Sequence, residues 1–126
     1  MVEALLPPDG RAAGAARRTV AAELRRLGLP TLADDASLLV SEVVTNVIVH
    51  AVTSPRLRVE AIPGGLRVEV ADDSPVAPAL RRPGTTSTTG RGIRLVETLA
   101  SSWGWESRHG GKVVWFELLV GDGSVA

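Results

Sequence analysis

Glu42, Asn46 and His50 stand four residues apart inside the run Leu38 to Val52, which is otherwise almost wholly apolar. On an α-helix, positions four apart share a face, so these three side chains would line one edge. The neighbours Leu39, Val40, Val43, Val44 and Val47 leave little polar circumference, and a helix that apolar is mostly buried. A carboxylate on it has to be hydrogen-bonded, paired, or set at the mouth of a cavity. The cavity reading has a chemistry attached. A glutamate can polarise a water or hydroxyl, and an amide oxygen is a hard ligand suited to Mg²⁺. A solvated helix edge is the plain alternative, and His50 has its own simple reading as a cap on the helix C-terminus.

Two further places combine residue types of this kind. Asp72 closes an alternating apolar stretch that begins at Leu66. Aspartate is a poor strand residue, so it either starts a turn or marks a site where a strand meets a loop. Gly90-Arg91-Gly92 precedes an apolar helical period. Small residues there let backbone N–H groups and the helix dipole approach an anion, although a glycine-rich helix start is more often only a turn.

The elements that must hold these residues can be read from periodicity. Val2 to Leu6 reads as a short edge strand before the turn Pro7-Pro8-Asp9-Gly10. Arg11 to Leu27 reads as a helix with Ala16, Val20, Leu24 and Leu27 on one face and Gly28 as its left-handed stop. Thr31 to Asp34 has the form of a capping box ahead of a second helix, about Leu32 to Val49. Leu57-Val59-Ala61 and Leu66-Val68-Val70 alternate with charged residues on either side of Pro63-Gly64-Gly65, which predicts an antiparallel hairpin. Residues 73–89 carry no period and are rich in proline and threonine, the mark of a functional lid. Arg91 to Ser102 resumes a helix, and Trp103 to Arg108 and Lys112 to Val120 form a second hairpin about His109-Gly110-Gly111. Trp103 and Trp105 fall on one strand face, which points to core packing, and Arg17-Arg18 and Arg25-Arg26 read as a solvated basic face. The implied fold class is an α+β two-layer sandwich, a mostly antiparallel mixed sheet covered on one face by about three helices. Residues 1–120 are expected to form a single domain and 121–126 a flexible tail.

Composition narrows the classes. With 126 residues and 44% apolar content, the chain can bury a core without staples. It has no cysteine and two histidines, which argues against disulfides and a zinc site. Basic and acidic residues balance at 14 each, so direct nucleic-acid binding is not expected. All the basic residues except Lys112 are arginine. The absence of a long apolar run and of a basic leader suggests a protein of the cytoplasm, with no membrane segment.

In order and spacing, Glu42-x-x-x-Asn46, then Asp72 after a hairpin, then a loose loop, then Gly90-x-Gly92-Ile93-x-Leu95 at a helix start resemble the nucleotide-binding set of the GHKL (histidine-kinase-like) ATPase superfamily. The stretches LLVSEVVTNVIVHA, VEVADDSPVAP, TGRGIRLVETLASSWGW and GGKVVWFEL look like the small single-domain branch of anti-sigma-factor serine/threonine kinases. The resemblance runs from about Leu6 to Val120 and implies a Bergerat-type ATP-binding fold with ATP and Mg²⁺ as cofactors. It implies Glu42 as general base, Asn46 as the Mg²⁺ ligand, and Asp72 as acceptor for the adenine amino group. Gly90 and Gly92 would present N–H groups to the phosphates with Arg91 adding charge, and Ser74, Thr89 and Ile93 complete the nucleotide-contacting set. The implied partners are a sigma factor and a STAS-domain anti-anti-sigma protein that receives the γ-phosphate, with a homodimer as a further expectation. The sequence departs from the superfamily pattern where Ser74 and Val76 replace glycines, and where Val113 stands in place of a threonine beside the adenine. These departures motivate an alternative, a sequestering module that uses nucleotide weakly or not at all.

Overall fold

The computed structural model describes residues 1–50, 53–74 and 99–121, and of His50 the backbone alone. The strands are β1 (Val2–Leu5), β2 (Arg56–Ile62), β3 (Gly65–Asp72), β4 (Ser102–Arg108) and β5 (Gly111–Leu119), and the helices are α1 (Ala12–Leu27) and α2 (Ala33–His50). One sheet of five strands runs in the order β1-β2-β3-β5-β4. Its four pairings are all antiparallel, so no parallel pair of the expected mixed sheet occurs among the described residues. Both hairpins form where alternation placed them, with Ile62 paired to Gly65 and Arg108 to Gly111.

Alternation decides which side chains meet the helices. Leu66, Val68 and Val70 of β3 and Val114, Phe116 and Leu118 of β5 are buried, and successive strand residues point to opposite faces. They pack beneath Ala16, Val20 and Leu24 of α1 and Leu39, Val43 and Val47 of α2 in one core. Burying a Val, Leu or Phe side chain contributes roughly 1.5–3 kcal/mol, so this layer is a major source of stability. Trp103 and Trp105 are half-buried against the same core. Gly28 stops α1 at φ 70, with its N–H on the Arg25 carbonyl, the left-handed geometry that glycine adopts without a Cβ penalty.

The helix α2 starts differently from expectation. A turn of 3-10 helix, Pro30–Leu32, leads into it, and Thr31, expected as the cap of a capping box, lies within that turn. Proline's fixed φ suits a first helical turn. The third expected helix, Arg91 to Ser102, lies outside the described residues as far as 98; Leu99 is helical, and β4 already begins at Ser102.

The opposite face of the sheet is polar. Arg67 donates from Nε to Glu69 at 2.9 Å and from Nη1 to Glu117 at 2.7 Å, and its guanidinium lies 4.3 Å from the centroid of the Trp115 ring. Burial pulls the Arg67 pKa down, but the hydrogen bonds to Glu69 and Glu117 outweigh it, and the net shift is upward.

Candidate nucleotide site

Asp72 is the last residue of β3 and lies on the helix-facing side, continuing the series Leu66, Val68, Val70. Its register partner on β5 is Lys112. Both side chains are shut off from water, at 1% exposure for Lys112 and 0% for Asp72. The ammonium stands 2.9 Å from Asp72 Oδ2 and hydrogen-bonds Oδ1 at 3.2 Å. The backbone N–H of Ser74 donates to the same Oδ1 at 2.7 Å, a local turn that aspartate favours. Oδ2 is buried and receives no hydrogen bond among the described residues, despite lying within ion-pair distance of the lysine. The distance and the missing bond differ because an ammonium can be close without aligning an N–H on that oxygen. Oδ2 is thus neutralised by the lysine, while among the described residues no N–H is aligned on it.

Glu42 and Asn46 sit on one edge of α2, whose apolar face packs onto the sheet. Asn46 is 9% exposed. Its Nδ2 donates to the Glu42 carbonyl at 2.9 Å, and its Oδ1 accepts no hydrogen bond among the described residues. Glu42 is half-buried, and its carboxylate has no ion pair or hydrogen bond among the described residues. The acid and the amide therefore lie on the helix layer, and the aspartate on the sheet face beneath that layer. Thr89, Gly90, Arg91, Gly92 and Ile93 lie outside the described residues, as does the expected lid beyond Ser74. The third member of the α2 stripe, His50, is placed by its backbone only.

Sequence reasoning singled out Val113 and passed over Lys112. Val113 pairs with Ala71 and so points to the sheet face away from the helices, where it cannot stand beside Asp72. The residue opposite Asp72 is the lysine. The available signal was its rarity, a single lysine among arginines, but the face it takes depends on the pairing of β3 with β5.

A cavity of about 340 Å³ opens at the same end of the sheet. Its lining includes Glu3, Arg58, Glu69, Ala71, Arg108 and Val113, side chains that alternation assigns to the polar face. Asp72 and Lys112 border it, but Glu42 and Asn46 do not. It is a separate feature from the acid-and-amide edge of α2.

Comparison with known proteins bears on the family and the fold. The family described as histidine kinase-like ATPase domain matches residues 6–118. The chain is 29% identical to the histidine kinase domain of a blue-light activated histidine kinase from Erythrobacter litoralis, with a TM-score of 0.57 over 74% of this chain and 50% of that one. The nucleotide-free catalytic domain of the histidine kinase ThkA shares the fold at 21% identity and a TM-score of 0.54, over 69% of this chain and 66% of that one. The chain thus spans half of the first relative and about two-thirds of the second. No curated protein matches it. Among the described residues, no helix is long and apolar enough to cross a membrane. The chain belongs to the histidine kinase-like ATPase domain family, with the fold of a GHKL-type ATP-binding domain.

Proposed function

We propose that this chain is a cytoplasmic anti-sigma factor with serine/threonine kinase activity, which uses Mg·ATP to phosphorylate a STAS-type anti-anti-sigma partner. The observation that supports the reading is the buried acceptor Asp72 Oδ2, which lies on the helix-facing side of the sheet and has no hydrogen bond among the described residues. An orphaned buried acceptor is uncommon in folded proteins, and an exocyclic amine would satisfy it. This open carboxylate acceptor therefore fits the amino group of an adenine base.

Bound Mg·ATP would supply the phosphoryl group and, through its metal, the charge neutralisation that phosphoryl transfer requires. The chain's own residues position and polarise. Asn46 offers Oδ1 as a neutral oxygen ligand, because its Nδ2 is tied to the Glu42 carbonyl. Among the described residues, no three His, Asp or Glu side chains gather into a metal cage, so the metal would rest on Asn46 and phosphate oxygens, the usual mode for Mg²⁺. Glu42, without an ion pair among the described residues, would take the proton from the partner's hydroxyl. Asp72 would hold the base, and Ser74 fixes the other oxygen of that carboxylate. The roles of Thr89, Gly90, Arg91, Gly92 and Ile93 at the phosphates rest on the family resemblance.

The test is transfer of ³²P from labelled ATP to a STAS-domain protein from the same genome. The parent labels it, and Glu42→Ala lowers the rate about 100-fold or more. No labelling by the parent, or equal labelling by the variant, overturns the kinase reading. A second reading, a sequestering module independent of nucleotide, is favoured by one observation: Lys112 already neutralises Asp72 inside the fold. Calorimetry with Mg·ATP separates the two, since that module would give no heat of binding.

A further inference from the structure

The Lys112–Asp72 pair has capacity that the fold leaves unused. An ammonium carries three N–H groups, and the partner of this one among the described residues is a single carboxylate. The carboxylate in turn has Oδ2 without a hydrogen bond. Both side chains are more than nine-tenths buried. Buried acceptors normally find a donor; among the described residues no N–H is aligned on Oδ2, so it is open to a donor from a ligand, and the ammonium beside it has N–H groups beyond the one on Oδ1. Adjacent strands hold them directly opposite, and their atoms are 2.9 Å apart. Their complement is a planar edge that offers a donor and an acceptor side by side.

We propose that Lys112 and Asp72 read the nucleobase together: Asp72 Oδ2 accepts from the six-amino group of adenine while Lys112 Nζ donates to the neighbouring ring nitrogen, N1. This rests on the ATP-binding reading and adds to it a specificity-determining residue. A guanine in the same orientation sets its keto oxygen against the carboxylate and its N1–H against the ammonium. That leaves like facing like in a buried site, the arrangement that rejects a wrong substrate most strongly. A merely structural Lys112 would neutralise Asp72 and be indifferent to N1.

The test is a calorimetric titration of ATP, 1-deaza-ATP (carbon in place of N1) and GTP, all with Mg²⁺. The proteins are the parent, Lys112→Met and the double variant Asp72→Asn with Lys112→Met, their folding followed by circular dichroism. The parent binds 1-deaza-ATP about tenfold more weakly than ATP, the scale of one charge-assisted hydrogen bond, and GTP more weakly still. Lys112→Met binds ATP about tenfold more weakly and binds ATP and 1-deaza-ATP alike. If the parent holds ATP and 1-deaza-ATP equally, or GTP as tightly as ATP, the base-reading proposal falls while ATP binding stands. It falls equally if Lys112→Met weakens both adenine nucleotides and keeps their ratio. Where neither variant folds, the parent's own ratio decides. A parent that binds no ATP at millimolar concentration overturns the functional reading and this proposal with it.

Discussion

Asp72 and Lys112 also set the energetics at their end of the sheet. Removing one member of a buried ion pair leaves an uncompensated charge and costs about 3–5 kcal/mol, whereas replacing both by apolar residues is often neutral. Lys112→Met should therefore lower the urea midpoint strongly, and adding Asp72→Leu should recover most of the loss. A different pair acts at α1. Glu23 is 3% exposed and accepts from Arg26 at 2.6 and 2.9 Å. That hydrogen bond holds its carboxyl below the usual range, against the opposing effect of burial. A depressed carboxyl stabilises the fold above its unfolded pKa, and the contribution is lost as pH falls through the folded one. Glu23→Gln should remove that part of the acid sensitivity, seen as a smaller fall in the urea midpoint than the parent shows between about pH 5 and pH 3. At this scale the sequence was uneven. Asp72 stood out because aspartate is misplaced in an apolar strand, and Asn46 because amides are rare in apolar helices. Lys112 sat in a strand start where either face was open, so its neighbour Val113 drew the attention instead.

The elements themselves were largely legible, because each has a local cause. Alternation gave both hairpins, helical spacing gave α1 and α2, and Gly28 gave the stop of α1. The start of α2 was misjudged because Pro30 permits a 3-10 turn that competes with the Thr31 cap. Close approaches between elements were out of reach, since they exist only after pairing. Gly104 is one. It pairs with Trp115 across β4 and β5, and a Cβ on it would stand 2.8 Å from the indole ring. The ring cannot retreat freely, because Arg67 covers it. Gly104→Val should cost about 1–3 kcal/mol in a urea unfolding series, the scale of overpacking, and should shift the tryptophan emission. An unchanged midpoint and spectrum would mean that the ring moves aside at no cost.

At the scale of the molecule, the described residues set helices α1 and α2 on one face of a five-stranded sheet, and the other face is charged. Composition and patterning indicated this layering. Strand order did not follow from them, because β3 pairs with β5 across a long intervening segment and leaves β4 at the edge. Phe116, fully buried at the centre of β5, is the test of the core: Phe116→Ala should cost about 3–5 kcal/mol, read from the urea midpoint. The central claim is that the chain binds adenine nucleotide at the buried carboxylate of β3. Its most direct measurement is the dissociation constant of Mg·ATP for the parent and for folded Asp72→Asn. The account predicts saturable binding by the parent, weakened about tenfold or more in the variant. Equal affinity in the two proteins, or no binding by the parent at millimolar nucleotide, would contradict it.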